Sequence, residues 1–335
     1  MRRLLVLVGW LVLAGGCQAL QRAPEPTPLP TPTATRFVPV QLLTPRPTQP
    51  PPTATPTSRP AIAQRATATP TPAPSVRGTP VAAAEPLQGM VLEDQLFSPI
   101  VQMTLPYRVY LPPEYLKSQR RYPVLYLLHG TGGNYTEWTD SFLPEQADRL
   151  IVAHEIPPLI VMMPDDGGST YWANWSNDGP RWGDYVTEDV VSTVDARYRT
   201  LPSRGSRAIG GLSMGGLGAL NLAFQHPDVF GVVGGHSPSV RLEPDPALWF
   251  LVGQNFWEHN PVWLAQNRDG LDSLAIWLDA GTEDVWLPNV EAVHDALAER
   301  GVPHEWHVLP GPHEAEYWMD HLPEYLRFYG GALKS

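Results

Sequence analysis

The stretch "RAIGGLSMGGLGALNLAF", Arg207 to Phe224, sets five glycines around one serine, where an apolar strand should end and a helix begin. Glycine weakens the interior of either element by roughly 0.5–1 kcal/mol relative to alanine. A chain that accepts this cost is building a bend too sharp for side chains. "GLSMG", Gly211 to Gly215, fits G-x-S-x-G in the context that pattern requires, with a strand before it and a helix after it. The serine of such a turn is held in a strained conformation with its oxygen lifted clear of the sheet. Gly211 and Gly215 must then be small so that the chain can cross itself. Gly216 and Gly218 are expected to let the helix press against neighbouring strands. The positive end of that helix faces the place where negative charge would develop on an attacked carbonyl.

The surrounding pattern is that of an α/β chain. Continuous apolar runs read as buried strands at 122–130, 158–167, 206–213, 230–238, 274–281 and 304–311. Helical spacing recurs between them at 182–198, 218–226 and 289–301, and "QMTLPYRVYLPPEY" from Gln102 alternates as an antiparallel edge strand would. This order predicts a mostly parallel central sheet with helices on both faces and ligands gathered at the carboxyl ends of the strands.

A serine hydroxyl needs a base, and in this sheet order the partners should follow as serine, acid, histidine. "LDAGTEDVW" leaves a strand with Asp279, Glu283 and Asp284. Asp279 ends the strand itself, and the loop position favours Asp284 as the carboxylate that meets a histidine. "LPGPHEAEYW" places His313 in the loop after the last strand, just before a closing helix. His304 and His307 fall on opposite faces of that strand and read as packing residues. The glycines of "LHGTGGNYTEW" follow an early strand, where a second oxyanion donor belongs. The backbone N–H groups of Thr131 and Met214 are assigned to that hole. Trp138, Trp172, Trp175 and His236 are expected to line the substrate site. Trp182, Trp249, Trp257 and Trp263 are further aromatic residues in the loops around it, with core or lid positions as the alternative.

No metal or other cofactor is expected. The domain has no HExxH and no cysteine, and "PDDGGST" lacks the spaced ligands of a calcium loop, so Asp165 and Asp166 read as turn-shaping residues. From residue 89 onward there are 15 Lys and Arg against 32 Asp and Glu, so no basic stripe exists to neutralise nucleic acid or an anionic lipid surface.

The N-terminus is of another kind. Met1-Arg2-Arg3 followed by "LLVLVGWLVLAGG" has the form of an export signal over residues 1–16, too short to span a bilayer. The chain's single cysteine, Cys17, follows "LAGG" where a bacterial lipobox would place it, which implies cleavage and lipidation of its thiol. Residues 17–88 form a spacer. Of the chain's 39 prolines, 18 lie in residues 18–88 together with 13 threonines, and such a stretch buries too little apolar surface to offset its ordering entropy. The expected organisation is a signal peptide (1–16), a lipidated Cys17 with an extended Pro/Thr linker (17–88) and one domain (89–335), exported and tethered to a membrane only through its lipid, or secreted if the lipobox is not used.

With these residues laid out, the domain resembles the esterase D and feruloyl-esterase-like branch of the α/β-hydrolase fold. The matching pieces are "YRVYLPPEY", "YPVLYLLHGTGGNYTEW", "RWGDYVTEDVVSTVDARYRT", "AIGGLSMGGLGALNLAFQHPDVF", "LDAGTED" and "GPHEAEYW". The resemblance implies Ser213, Asp284 and His313 as a catalytic triad, with Thr131 and Met214 as oxyanion donors. It also implies an ester substrate, a small molecule or one linked to a polysaccharide. An acyltransferase using the same triad and a non-catalytic carbohydrate-binding module are the rival readings. Segments 168–182 and 243–263 depart from the family pattern, and there the pocket is expected to differ.

Overall fold

The computed structural model describes residues 78–81 and 87–335; the expected signal segment, Cys17 and most of the linker lie outside the described residues. Nine strands form one sheet: β1 (Thr79–Val81), β2 (Met90–Ser98), β3 (Met103–Leu111), β4 (Val124–Leu128), β5 (Ile160–Pro164), β6 (Arg207–Leu212), β7 (Val232–His236), β8 (Ala275–Gly281) and β9 (Glu305–Leu309). Their spatial order is β1-β2-β3-β5-β4-β6-β7-β8-β9. The pairs from β1 through to β5 are antiparallel, and those from β5 through to β9 are parallel.

The first two strands differ from expectation. β1 begins ahead of the expected boundary at residue 89 and pairs with β2. Pro80 is tolerated there because an edge strand does not need every N–H. β2 was not expected at all, since "MVLEDQLFS" carries a polar Glu-Asp-Gln centre. Its partner β3 supplies the register that the local sequence does not, from Met90 opposite Leu111 to Ser98 opposite Met103.

The helices are α1 (Glu137–Asp140), α2 (Leu143–Val152), α3 (Trp182–Asp184), α4 (Val191–Arg197), α5 (Met214–Gln225), α6 (Gln254–Glu258), α7 (Pro261–Asn267), α8 (Leu287–Glu299) and α9 (Ala315–Ala332). Between α3 and α4 the chain runs as a π-helix over Tyr185–Val190, so the long helix expected at 182–198 changes register midway.

Alternation along β4 divides the core in two. Val124, Tyr126 and Leu128 join one cluster with α4, α5 and α8, while Leu125 and Leu127 join another with α2 and α9. Helices therefore cover both faces, as the strand order requires. β4 and β6 are neighbours, with Leu128 opposite Gly211, yet the strand after β4 lies on one side of that pair and the strand after β6 on the other. This is a topological switch point, the place where an open α/β sheet leaves a crevice at its carboxyl edge. Among the described residues no helix is long and apolar enough to cross a membrane.

Candidate active site

Ser213 sits between β6 and α5 with φ 52° and ψ −115°, a conformation side chains rarely adopt. The glycines on either side make the bend feasible. A Cβ on Gly211 would lie 2.4 Å from the carbonyl carbon of Gly215, and one on Gly215 would lie 2.2 Å from the Leu128 carbonyl oxygen. The turn is secured from β7 and beyond, because the Ser213 N–H donates to the His236 carbonyl (3.0 Å) and the Ser213 carbonyl accepts from Ser239 N (3.0 Å).

The hydroxyl so presented meets His313. Ser213 Oγ is 2.8 Å from His313 Nε2, and His313 Nδ1 is 2.9 Å from Asp284 Oδ2. The loops carrying Asp284 and His313 are joined to each other through Thr282 N on the Leu309 carbonyl (2.8 Å) and Glu283 N on the Gly311 carbonyl (3.1 Å). Asp284 Oδ1 accepts the Trp286 N–H at 2.7 Å. Burial works to raise the Asp284 pKa, but the bond from His313, the Trp286 N–H and the nearby Ser237 hydroxyl outweigh it and hold the carboxyl below its usual range. An ionised, fixed carboxylate on Nδ1 keeps that nitrogen protonated and leaves Nε2 free to accept the serine proton.

The two other acids weighed from the sequence are elsewhere. Glu283 is exposed, whereas Asp279 is fully buried on β8 and bonded to a different histidine. His236 Nδ1 meets Asp279 Oδ2 at 2.8 Å and its Nε2 meets the Tyr329 hydroxyl at 2.8 Å. Trp277, Tyr317 and Tyr325 donate to the same carboxylate.

That network corrects one expected pocket residue. His236 has no exposed surface and is a packed member of the core beneath the site. Two tryptophans need the same correction. Trp138 is 2 % exposed and donates its indole N–H to the Leu128 carbonyl. Trp172 is fully buried, donates to the His129 carbonyl and packs over the bare Cα of Gly218. An indole needs both a cavity and an acceptor, and backbone carbonyls at the ends of β4 supply the acceptor. Gly218 therefore makes room for Trp172 rather than for a strand.

Trp175 is half-buried and stacks on Phe250 (4.6 Å between centroids, 19° between planes), with Trp249 edge-on to both. Trp249 is 69 % exposed. Tyr171 packs on Phe250, and its hydroxyl lies 3.5 Å from Arg241, which stacks 3.8 Å over Trp286, two residues beyond Asp284. The aromatic group is thus continuous with the Asp284 loop. His304, just before β9, bonds His294, and His307 stacks on Trp277, so both are packing residues.

Met214 is the first residue of α5, and its N–H has no carbonyl four residues back within the helix. The loop after β4 closes on the same point, because a Cβ on Gly130 would lie 3.6 Å from that of Ser213. Thr131, next in the chain, is exposed. Glu137, which sequence reasoning passed over, grips this loop by accepting the Gly130 N–H at 2.7 Å. Its only sequence mark is its place seven residues into a glycine-rich loop.

Among the described residues one group has the spacing for a cation: His129, Asp165 and Asp166, all buried. Each carboxylate oxygen already accepts a hydrogen bond. Asp165 takes Gly167 N and Tyr135 N, while Asp166 takes Gly168 N on one oxygen and both Thr170 N and its hydroxyl on the other. The set is a clasp for the turn after β5.

The family model described as "Putative esterase" matches residues 98–329. Among curated proteins, the chain is 30 % identical over 239 residues to "Esterase Rv1288" of Mycobacterium tuberculosis, covering 61 % of this chain and 51 % of that protein. It is 34 % identical over 164 residues to an "Endo-1,4-beta-xylanase/feruloyl esterase" of Xylanibacter ruminicola, covering 43 % of this chain and 22 % of that one. The chain thus spans about half the length, or less, of these curated relatives. Among solved structures, a ferulic acid esterase superposes with a TM-score of 0.68 at 29 % identity, over 74 % of this chain and all of the other. An S-formylglutathione hydrolase from Agrobacterium tumefaciens shares the fold at a TM-score of 0.64 and 18 % identity, over 76 % of this chain and 99 % of the other. With a family model matched along more than half its length, and a serine turn on a sheet of the same design, this chain belongs to the esterase family of α/β-hydrolases.

Proposed function

We propose that the protein is a serine carboxylic-ester hydrolase acting through an acyl-enzyme on Ser213. The observation that carries this reading is the unbroken relay from Ser213 Oγ through His313 to Asp284, at 2.8 and 2.9 Å. His313 Nε2 takes the serine proton as Oγ attacks the ester carbonyl. The tetrahedral oxyanion is received by the N–H groups of Thr131 and Met214. His313 then returns the proton to the departing alcohol, the carbonyl re-forms, and water attacking by the same route releases the acid and frees Ser213.

The substrate class follows from the rim and from the relatives. The exposed Trp249 and the half-buried Trp175, backed by the buried Phe250, offer flat apolar surface suited to an aromatic acyl group or a sugar ring. The names of the xylanase/feruloyl esterase and the ferulic acid esterase point the same way, to feruloyl esters. Export and tethering complete the reading. A signal segment, Cys17 and a proline-rich spacer would hold the enzyme at a cell surface within reach of polymers.

The test is hydrolysis of p-nitrophenyl acetate by the full chain. Ser213→Ala is expected to lower kcat/KM by about 10⁴-fold or more. Equal turnover by the variant would end the esterase reading.

A further inference from the structure

Gly130, the residue before the proposed oxyanion donor, is pinned from both sides. The Gly130 N–H donates to Glu137 Oε2 at 2.7 Å. The Gly130 carbonyl faces His129 Nδ1 at 2.9 Å and accepts the Gly133 N–H at 3.1 Å. In a trans peptide the C=O of one residue and the N–H of the next point in opposite directions. Fixing the Gly130 carbonyl therefore fixes the direction of the Thr131 N–H, and fixing the Gly130 N–H sets the peptide before it. The freedom left to this glycine is small.

The fit of Glu137 is specific. A Cβ on Gly133 would fall 2.8–2.9 Å from the Cδ and both carboxylate oxygens of Glu137, so the loop leaves a side-chain-sized space that the carboxylate fills. On the other side, the His129 ring is 1 % exposed, and its Nε2 lies 3.3 Å from Asp166 Oδ1. Nδ1 bonds the Gly130 carbonyl, while Nε2 lies within ion-pair distance of Asp166 and makes no hydrogen bond of its own. Burial works to lower the His129 pKa, but Asp166 and the Gly130 carbonyl outweigh it, and the net direction is upward. The clasp after β5 thus holds the ring, and the ring holds the carbonyl.

We propose that Glu137, by fixing the His129–Gly130 peptide while the His129 ring fixes the Gly130 carbonyl, is a positioning residue that limits rotation at Gly130 so that the Thr131 N–H points into the oxyanion site. This rests on the reading of Ser213 as nucleophile and Thr131 as donor. Glu137 touches neither the substrate nor the reacting atoms. Its effect is confined to the transition state, because the oxyanion forms only there.

The test compares Glu137→Ala and Glu137→Gln in the full chain, since glutamine keeps an oxygen acceptor for Gly130. With p-nitrophenyl acetate, Glu137→Ala is expected to lower kcat by about 10–100-fold, less than the ~10²–10³ lost when an oxyanion donor is removed outright. KM should stay within about 2-fold, and Glu137→Gln should recover kcat to within about 3-fold of wild type. Affinity for an arylboronic acid, which forms a tetrahedral anion on serine, should fall in parallel with kcat. Amide hydrogen exchange at Gly130 should accelerate in Glu137→Ala and stay slow in Glu137→Gln. Should the alanine variant fail to fold, Glu137→Asp, one methylene short of Gly130, takes its place with the same expected direction. Unchanged kcat in Glu137→Ala, a glutamine variant as impaired as alanine, or unaltered exchange at Gly130 would each overturn the proposal. If the wild type showed no Ser213-dependent hydrolysis, the function reading would fail instead, and the exchange measurement would still decide whether Glu137 holds the peptide.

Discussion

At the scale of single residues, the site depends on which of two buried carboxylates serves which histidine. Asp284 meets His313 and Asp279 meets His236, and the two carboxylates sit on β8 and the loop that follows it. The pairs differ in access. His313 keeps 20 % of its side chain exposed, while His236 and Asp279 are fully buried and tied to Tyr329, Tyr317, Tyr325 and Trp277. Substitution should separate the roles. Asp284→Asn is expected to lower kcat by about 10⁴-fold with little loss of stability, because the imidazole loses its orienting carboxylate. Asp279→Asn is expected to cost on the order of 3 kcal/mol of stability by breaking a buried pair, with the surviving folded protein nearly as active. Thermal melts alongside p-nitrophenyl acetate kinetics check both. A larger loss of kcat from Asp279→Asn would exchange the two assignments.

At the scale of elements, the β6–turn–α5 unit carries the chemistry. The helix interior ordinarily gains about 1 kcal/mol when glycine becomes alanine. Gly215 should show the reverse, since its new Cβ would lie 2.2 Å from the Leu128 carbonyl of the adjacent strand. Gly215→Ala is expected to lower the melting temperature and to remove most activity; a raised melting temperature would mean that the turn is not under this constraint. This unit was legible in the sequence because its constraint is local, with glycines, serine and apolar strand all within eighteen residues. Five of the six parallel strands were legible for a similar reason, as apolar runs, whereas β9 is broken by Glu305 and His307 and is only partly buried. β2 was not, since its polar centre makes sense only once β3 lies beside it. The π-register at Tyr185–Val190 was hidden because apolar spacing at three and four does not distinguish it from an α-helix. Trp138 and Trp172 were misplaced because an aromatic residue near a glycine-rich loop looks the same whether it faces solvent or a backbone carbonyl, and His236 because its partners Asp279 and Tyr329 are distant in sequence. Glu137 left no mark beyond its place in the glycine-rich loop, for its partner is a backbone N–H.

At the scale of the whole molecule, the hydrolase domain follows a proline-rich stretch of sequence and, at residue 17, a cysteine in a lipobox-like context. The reading of that N-terminus as a lipid tether makes its own prediction. In a bacterial host the full chain should partition into the detergent phase, and Cys17→Ser should move it to the aqueous phase without changing p-nitrophenyl acetate turnover per molecule. Partitioning that ignores Cys17 would remove the tether from the account. The chemistry itself turns on whether the serine lifted from this sheet carries the acyl group. The most direct measurement is mass spectrometry of the protein after reaction with a phosphonate or phosphate triester that traps serine nucleophiles. The account predicts one adduct per chain, mapped to Ser213, forming in step with the loss of esterase activity and absent in Ser213→Ala and much slowed in His313→Ala. Full inactivation with the adduct on any other residue, or undiminished ester hydrolysis once Ser213 is modified, would contradict it.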